Sequence, residues 1–146
     1  MQLKIKKGNL QQTISFIRNI NLSGGKVNRA RFRVLKLLDE KAQEVTEERI
    51  EVSKSYANLN KSGEPIILED GNLSIEKDKL APFSNAQNEL FKEDSVLTID
   101  DYRDQFQELY NALIDYNGNL QGDDLILYGT LIDALEDAEI KEEKGE

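Results

Sequence analysis

Residues 27–59 read VNRARFRVLKLLDEKAQEVTEERIEVSKSYANL, and this stretch decides the fold. It contains neither Gly nor Pro, the two residues that most often interrupt a helix. Its apolar side chains recur at steps of three and four, with Arg49 as the one interruption. We call this row the seam, and its members are Leu35, Leu38, Ala42, Val45, Val52, Tyr56 and Leu59. The pattern predicts one helix from about Val27 to Leu59 with a coiled-coil-like apolar stripe.

That helix would be roughly 50 Å long at 1.5 Å per residue. A single domain of 146 residues is narrower than this, so one end is expected to project or to pair with a partner. Leu38, Val45 and Val52 of the seam are therefore candidate partner-binding residues.

The flanking sequence predicts an α+β fold that is predominantly helical. Leu3 and Ile5 alternate with polar residues, which indicates a short N-terminal strand with one buried face. Asp70-Gly71 lies between two apolar runs and predicts a β-hairpin over residues 65–75. A second strand is expected over residues 96–99.

The remaining segments predict helices. A weak helical pattern covers residues 77–92, and two stronger ones over 102–113 and 127–135 form a C-terminal helical hairpin. We expect a single domain over residues 1–140. The charge-rich end from residue 136 is expected to fray, with 141–146 as a disordered tail.

The composition excludes most catalytic chemistry. The chain has no His and no Cys, so Ser-His-Asp and Cys-His nucleophiles, thiolate metal sites and disulfides are all ruled out. We predict no catalytic residue, no metal site and no cofactor, and the chain is not expected to be an enzyme. No apolar run approaches the ~18 residues that a membrane span requires, so no membrane partner is expected.

Charge is divided unevenly along the chain, whose net charge is −9. Residues 1–41 carry ten Lys and Arg against two acids, whereas residues 42–146 carry nine against 26. Such asymmetry suggests that the two parts pair with each other or form two distinct binding faces.

A basic cluster marks the start of the long helix. Lys26, Arg29, Arg33 and Lys36 share one face at helical spacing, and Glu residues follow further along. Both placements oppose the helix macrodipole. Three explanations stay open: pairing with acids of the C-terminal helices, antiparallel association of two copies or a protein partner, and nucleic-acid binding. The overall acidity of the chain makes nucleic acid the least favoured.

Acidic residues are concentrated in the C-terminal third, and Asp101, Asp104 and Glu108 belong to the first of its two helices. They are candidates for a face that mimics a phosphate backbone. The alternative is that these side chains form an ordinary solvated helix face.

Three stretches carry a resemblance to a known family: 3–6, 29–38, and 64–75 around Glu69-Asp70-Gly71-Asn72. Together they resemble an uncharacterised family of small proteins from phages and prophages of Gram-positive bacteria, a domain of unknown function. The resemblance implies a phage origin and no assigned activity, cofactor or catalytic residue.

The leading hypothesis is a non-catalytic phage protein that acts by protein–protein interaction in virion structure or assembly. Its partner would be a phage structural protein, a host factor or a second copy. It would be located in the cytoplasm of the bacterial host or incorporated into the virion. One alternative is an acidic host-takeover or anti-defence inhibitor that occupies a nucleic-acid-binding site. The other is a weak nucleic-acid binder acting through residues 26–36.

Overall fold

The computed structural model describes residues 1–142. Its elements are β1 (Gln2–Lys6), α1 (Leu10–Asn19), α2 (Gly25–Tyr56), α3 (Leu80–Lys92), β2 (Asp94–Thr98), α4 (Arg103–Ile114) and α5 (Asp123–Asp137). The predicted class, α+β and predominantly helical, is confirmed.

The long helix predicted from the seam is present as α2, without a break. It is about 48 Å long, beginning two residues before and ending three residues before the predicted bounds. It begins after Gly24, whose φ of 106° favours glycine, and it ends where Ala57 becomes extended.

The first half of α2 forms one wall of the hydrophobic core. Its buried residues recur at steps of four and three and therefore share one face: Ala30, Val34, Leu38, Ala42 and Val45. This face packs against α1 and α4. Arg31 donates hydrogen bonds to the carbonyl oxygens of Ile20 (2.5 Å) and Ile17 (3.4 Å), at the end of α1 where helical carbonyls lack partners. The core of the chain thus includes three of the seven seam positions, Leu38, Ala42 and Val45.

The two strands pair antiparallel and close the core on another side. Leu3 lies opposite Leu97, and Ile5 lies opposite Ser95. These four side chains are buried, whereas their neighbours along each strand are exposed. Both predicted strands are confirmed, although the second begins and ends slightly earlier than the apolar run suggested.

The helical hairpin of α4 and α5 is also confirmed, but the core continues beyond it. Ala138 and Ile140 are 1% and 0% exposed. Gln107 Nε2 donates a 2.6 Å hydrogen bond to the carbonyl oxygen of Lys141. The expectation that the chain frays from residue 136 is therefore wrong as far as residue 140, because Ile140 inserts into the core. The last four residues of the predicted tail, 143–146, lie outside the described residues.

Between residues 46 and 96 no side chain belongs to the hydrophobic core. We call residues 46–92, namely the second half of α2, the segment after it and α3, the extension. The second half of α2 packs against α3, where the rings of Tyr56 and Phe83 lie 6.1 Å apart between centroids. The second half of α2 thus lies outside the hydrophobic core and is covered by α3 of the same chain, whereas a projecting end or an end paired with a partner was expected.

We call the remaining described residues, 1–45 and 93–142, the body. A compact set of contacts attaches the extension to the body, and we call this set the joint. The Lys7 ammonium contacts Glu48 at 2.8 Å and Glu93 at 2.9 Å, and the Lys7 backbone amide donates to the Glu93 carbonyl oxygen at 2.9 Å. Next to it, Gly8 lies directly against Phe91, so a Cβ there would come within 2.8 Å of the Phe91 Cβ. One turn after β1 therefore contacts both helices of the extension.

Gly8→Ala is expected to destabilise the fold by about 1–3 kcal/mol, because the added methyl would overlap both the side chain and the backbone of Phe91. Gly129→Ala is the matched control, since Gly129 lies inside α5 with open space around it. Alanine there should stabilise by about 0.5–1 kcal/mol through helix propensity. Urea unfolding measures both, and equal effects of the two substitutions would contradict the close packing at the joint.

The joint should also make the free energy of unfolding fall as pH rises in the alkaline range. The hydrogen bond to Glu48 raises the pKa of Lys7 above 10.5; burial opposes this, and Glu93 adds to the rise. The stabilisation of the folded state by the Lys7 ion pairs is fully present below about pH 10.5. It is lost as pH rises through the higher pKa that Lys7 has in the folded state. Lys7→Met should cost about 1 kcal/mol at pH 8 and remove this part of the pH dependence.

The measurement is the free energy of unfolding of both proteins from about pH 9 to about pH 11.5. Burial also raises the pKa values of Tyr110 and Tyr128, so the difference between wild type and variant is the informative quantity. Lys4→Met, at an exposed lysine without a salt bridge to a described residue, is the control. A constant difference across the pH range would contradict the role of Lys7.

Candidate interaction surfaces

Two of the three seam residues proposed to bind a partner, Leu38 and Val45, are covered by this chain. Leu38 is 0% exposed and Val45 is 7% exposed, and both belong to the core. Val52 is half-buried and lines a groove with Ala86 and Leu90 of α3. Leu38 and Val45 are therefore not surface residues of the single chain. Apolar spacing predicts the buried face of a helix but does not distinguish an internal partner from an external one.

The basic candidates divide into one ion-paired residue and three exposed ones. Lys26 contacts Glu108 at 2.9 Å, which fits the expected pairing with acids of the C-terminal helices. Arg29, Arg33 and Lys36 are exposed, and none forms a salt bridge with a residue of the described chain. Intramolecular pairing therefore accounts for one of the four basic candidates.

The acidic candidates lie beside these basic residues. Asp104 and Glu108 line a shallow groove of about 430 Å³ together with Arg29 and Arg33. Asp101 is exposed in the short turn before α4. A surface that mimics a phosphate backbone needs acidic groups free of neighbouring cations, so this interleaving argues against that interpretation.

An aromatic side chain is exposed among the basic residues. Phe32 is 63% exposed, and the Lys36 ammonium lies 5.7 Å from its ring centroid. Arg29, Arg33 and Tyr102 complete the main lining of a groove of about 600 Å³. We call this the basic groove. Sequence analysis identified its cations but not the exposed aromatic ring between them.

A second groove of about 910 Å³ runs between α2 and α3 and is acidic. Its floor contains Val52, Ala86 and Leu90. Six glutamates form its rim, and they are Glu44, Glu47, Glu48, Glu51, Glu89 and Glu93. We call this the acidic groove. The same helix thus contributes the cations of one groove and four of the six carboxylates of the other.

The segment after α2, residues 57–76, forms a tip that we call the arm. Three backbone hydrogen bonds close it into a ring: Asn58 N to Ser74 O (2.8 Å), Ser74 N to Ile66 O (2.9 Å) and Ile66 N to Asn58 O (2.9 Å). The predicted hairpin forms part of this ring, with Ile67 bridged to Leu73. Three chain segments therefore satisfy one another's backbone groups without a continuous sheet.

The hairpin turn itself has the predicted residues. Gly71 adopts a φ of 85°, and Asp70 accepts hydrogen bonds from the backbone and side-chain amides of Asn72 at 3.0 and 3.1 Å. The backbone hydrogen bond from Asn72 lowers the pKa of Asp70 below 3.8. The turn is thus ordered by local polar contacts.

The aliphatic side chains of the arm face solvent. Ile67 is 68% exposed and Leu68 is 48% exposed, while Leu59 and Ile66 are 44% and 37% exposed. Ala57 at the base is 9% exposed. Hydrogen bonds rather than a hydrophobic core therefore hold this tip together, and its apolar side chains are left uncovered.

Comparison with known proteins gives a family and no activity. The model of a family described as a protein of unknown function, DUF1617, matches residues 1–146. The chain belongs to this family. No curated protein and no solved structure matches it. The family assignment covers the body, the extension and the arm alike, and it names no ligand for any of them.

Two further observations concern ligands and membranes. Within residues 1–142, no three acidic side chains converge as a metal site would require. No helix of that range is both long enough and apolar enough to cross a bilayer. The candidate interaction surfaces considered for this DUF1617 member are the basic groove, the acidic groove and the arm.

Val45→Asp tests the internal position of the seam. A carboxylate at this buried position is expected to destabilise the fold by about 3 kcal/mol or more, because no hydrogen-bonding partner compensates for its desolvation. Gln43→Asp, two residues away and exposed, should cost under about 1 kcal/mol. Urea unfolding compares the two, and a stable Val45→Asp variant would place the seam on the surface.

Proposed function

We propose that this protein is a non-catalytic assembly protein of a phage that binds another virion protein through the arm. The observation that carries the proposal is the exposure of Leu59, Ile66, Ile67 and Leu68 on a tip outside the hydrophobic core. The phage setting rests on the resemblance of residues 3–6, 29–38 and 64–75 to phage and prophage proteins.

The energetics of the arm favour a docking role. Exposed apolar surface gains roughly 25 cal/mol for each Å² that a partner removes from water. Contiguous aliphatic patches are uncommon on proteins that act alone and often mark interaction sites. Ile66, Ile67 and Leu68 are consecutive in an extended segment, so Ile66 and Leu68 share one face, Ile67 lies on the other, and aliphatic groups are exposed on both.

The backbone of the arm makes that patch suitable for specific binding. The ring through Asn58, Ile66 and Ser74 holds the three segments in place before any partner arrives. Ordering these residues therefore costs less on binding than ordering a flexible loop would. The proposed partner has a complementary apolar pocket and polar surroundings that match Glu64, Glu69 and Asp70 at the same tip.

The test is mass spectrometry of purified particles of a phage that encodes this protein, with copy number measured against the major capsid protein. The wild-type protein is expected at a fixed stoichiometry. Ile67→Asp should lower its copy number at least roughly tenfold, because a charge would be buried in the contact. Its urea unfolding should change by less than about 0.5 kcal/mol, as for other exposed positions.

Ile126→Asp is the matched control, since Ile126 is 67% exposed on α5 compared with 68% for Ile67. It should leave the copy number unchanged. Absence of the wild-type protein from particles, with the protein present in infected cells, would contradict the virion role. Equal loss of both variants from particles would contradict the arm as the contact.

A further inference from the structure

The solvent-facing side of α2 has a charge pattern that is symmetric about its middle. Glu40 lies at the centre of Gly25–Tyr56. Lys36 and Glu44 stand four residues to either side, Arg33 and Glu47 seven, and Arg29 and Glu51 eleven. All seven side chains are exposed. We call them the charge stripe, and its basic half mirrors its acidic half position by position.

The stripe follows the surface of the helix in one row. Its steps are four, three, four, four, three and four, which keeps successive members on one face at 3.6 residues per turn. The buried row from Ala30 to Val45 lies on the other side. A second helix can therefore approach the stripe without displacing the core.

We propose that two copies of this chain associate with their α2 helices antiparallel, around a two-fold axis near Glu40. In that arrangement Arg29, Arg33 and Lys36 of one copy face Glu51, Glu47 and Glu44 of the other. The two-fold axis repeats the set, so six charge pairs form, against one like-charge contact between the two Glu40 carboxylates at the axis. A self-complementary patch of this kind is what a two-fold dimer requires.

The two grooves support the same arrangement. The basic groove is lined by Arg29, Arg33 and Lys36, and the acidic groove by Glu44, Glu47 and Glu51. Antiparallel pairing places the basic groove of each copy opposite the acidic groove of the other. Charge complementarity therefore identifies the occupant of both grooves as a second copy of the chain.

An apolar contact accompanies the charge pairs. Phe32 and Ile50 are 63% and 42% exposed, and they lie 18 residues, five full turns, apart on one flank of α2. The two-fold axis brings Phe32 of one copy within two residue positions, about 3 Å along the helix, of Ile50 in the other. Each dimer would thus bury two such apolar pairs.

The competing contacts of the acidic half are local and exposed. Glu44 contacts Lys41 at 3.2 Å and Glu51 contacts Lys54 at 3.6 Å, each within one turn of α2. Pairs of this type typically contribute only a few tenths of a kcal/mol. The stripe and the arm are separate surfaces, so this inference does not rest on the proposed function.

Two charge-reversal variants test the dimer. The acid variant carries Arg29→Glu, Arg33→Glu and Lys36→Glu, and the base variant carries Glu44→Lys, Glu47→Lys and Glu51→Lys. Sedimentation equilibrium of the wild type at low salt should give twice the chain mass of 16.6 kDa. Either variant alone should be monomeric because like charges then face each other, whereas an equimolar mixture should form a heterodimer.

Each variant also removes exposed local attractions: Arg29 and Arg33 lie beside Asp104 and Glu108, Glu44 contacts Lys41, and Glu51 contacts Lys54. Exposed charges of this type contribute little, so the urea unfolding of either variant should fall by no more than about 1–2 kcal/mol. Loss of association in a variant that stays folded in this way separates the interface from a structural role. Raising the salt from about 50 to about 500 mM should weaken the wild-type dimer roughly tenfold or more. The control variants are Lys4→Glu and Glu76→Lys, at exposed positions off the stripe, and they should remain dimeric.

Three results would overturn the inference. The first is a wild-type chain that stays monomeric at about 100 μM in low salt, a concentration chosen to detect weak dimers. The second is a dimer that survives in both variants but is lost in Ile67→Asp, which would place the contact on the arm. The third is a monomer that binds duplex DNA and loses that binding in the acid variant, which would make nucleic acid the occupant of the basic groove.

Discussion

The length of α2 is the constraint from which the rest of the structure follows. A domain of this size is roughly 35–40 Å across, whereas α2 measures about 48 Å. Its first half can be buried in the body, and its second half needs a separate cover, which α3 supplies. The chain must then return to the body to form β2, and the joint of Lys7 and Gly8 with Phe91 and Glu93 fixes that return. The arm begins just beyond the contact of Tyr56 with Phe83, and its residues Leu59, Ile66, Ile67 and Leu68 are exposed.

The charged row of α2 is exposed, whereas its apolar row is buried within the chain. The buried row is optimised within the chain, since Ala30, Val34 and Leu38 are 4% exposed or less. The exposed row is divided by charge, with cations from Arg29 to Lys36 and carboxylates from Glu40 to Glu51. Among the four basic candidates, Lys26 is the one that forms a salt bridge within residues 1–142, with Glu108, while the Lys36 ammonium lies over the Phe32 ring. The proposed dimer accounts for a charge pattern that is symmetric about the centre of α2.

Sequence reasoning predicted the elements well because each has a strong local signal. Alternation around Leu3 and Ile5 gave a strand, spacing from Leu35 to Tyr56 gave the helix, and Asp70-Gly71 gave the turn. It did not predict which partner covers Leu38 and Val45, because a helix period is the same for an internal and an external contact. It also missed the burial of Ile140, where surrounding charged residues masked one long-range apolar contact.

The site was predicted in part: Arg29, Arg33 and Lys36 were identified, but Phe32 was not. The aliphatic residues of the arm were predicted to lie in a hairpin, but their exposure to solvent was not predicted. That exposure depends on the ring of Asn58, Ile66 and Ser74, which joins three separate segments and has no local sequence signal.

The proposed dimer would change how the arms act. Antiparallel overlap along the full length of α2 places the two arms at opposite ends of the pair, on the order of 50 Å apart. A dimer of this shape binds two partner sites at that separation, and a site pair spaced to match captures the second arm at high effective concentration. Sites at other spacings would be bound by one arm only and therefore more weakly. In the proposed dimer, the midpoint position of Glu40 would set both which residues pair and the distance between the two arms. The contacts of Lys7 with Glu48 and Glu93, and of Gly8 with Phe91, attach each extension to its own body, so that distance would depend on them.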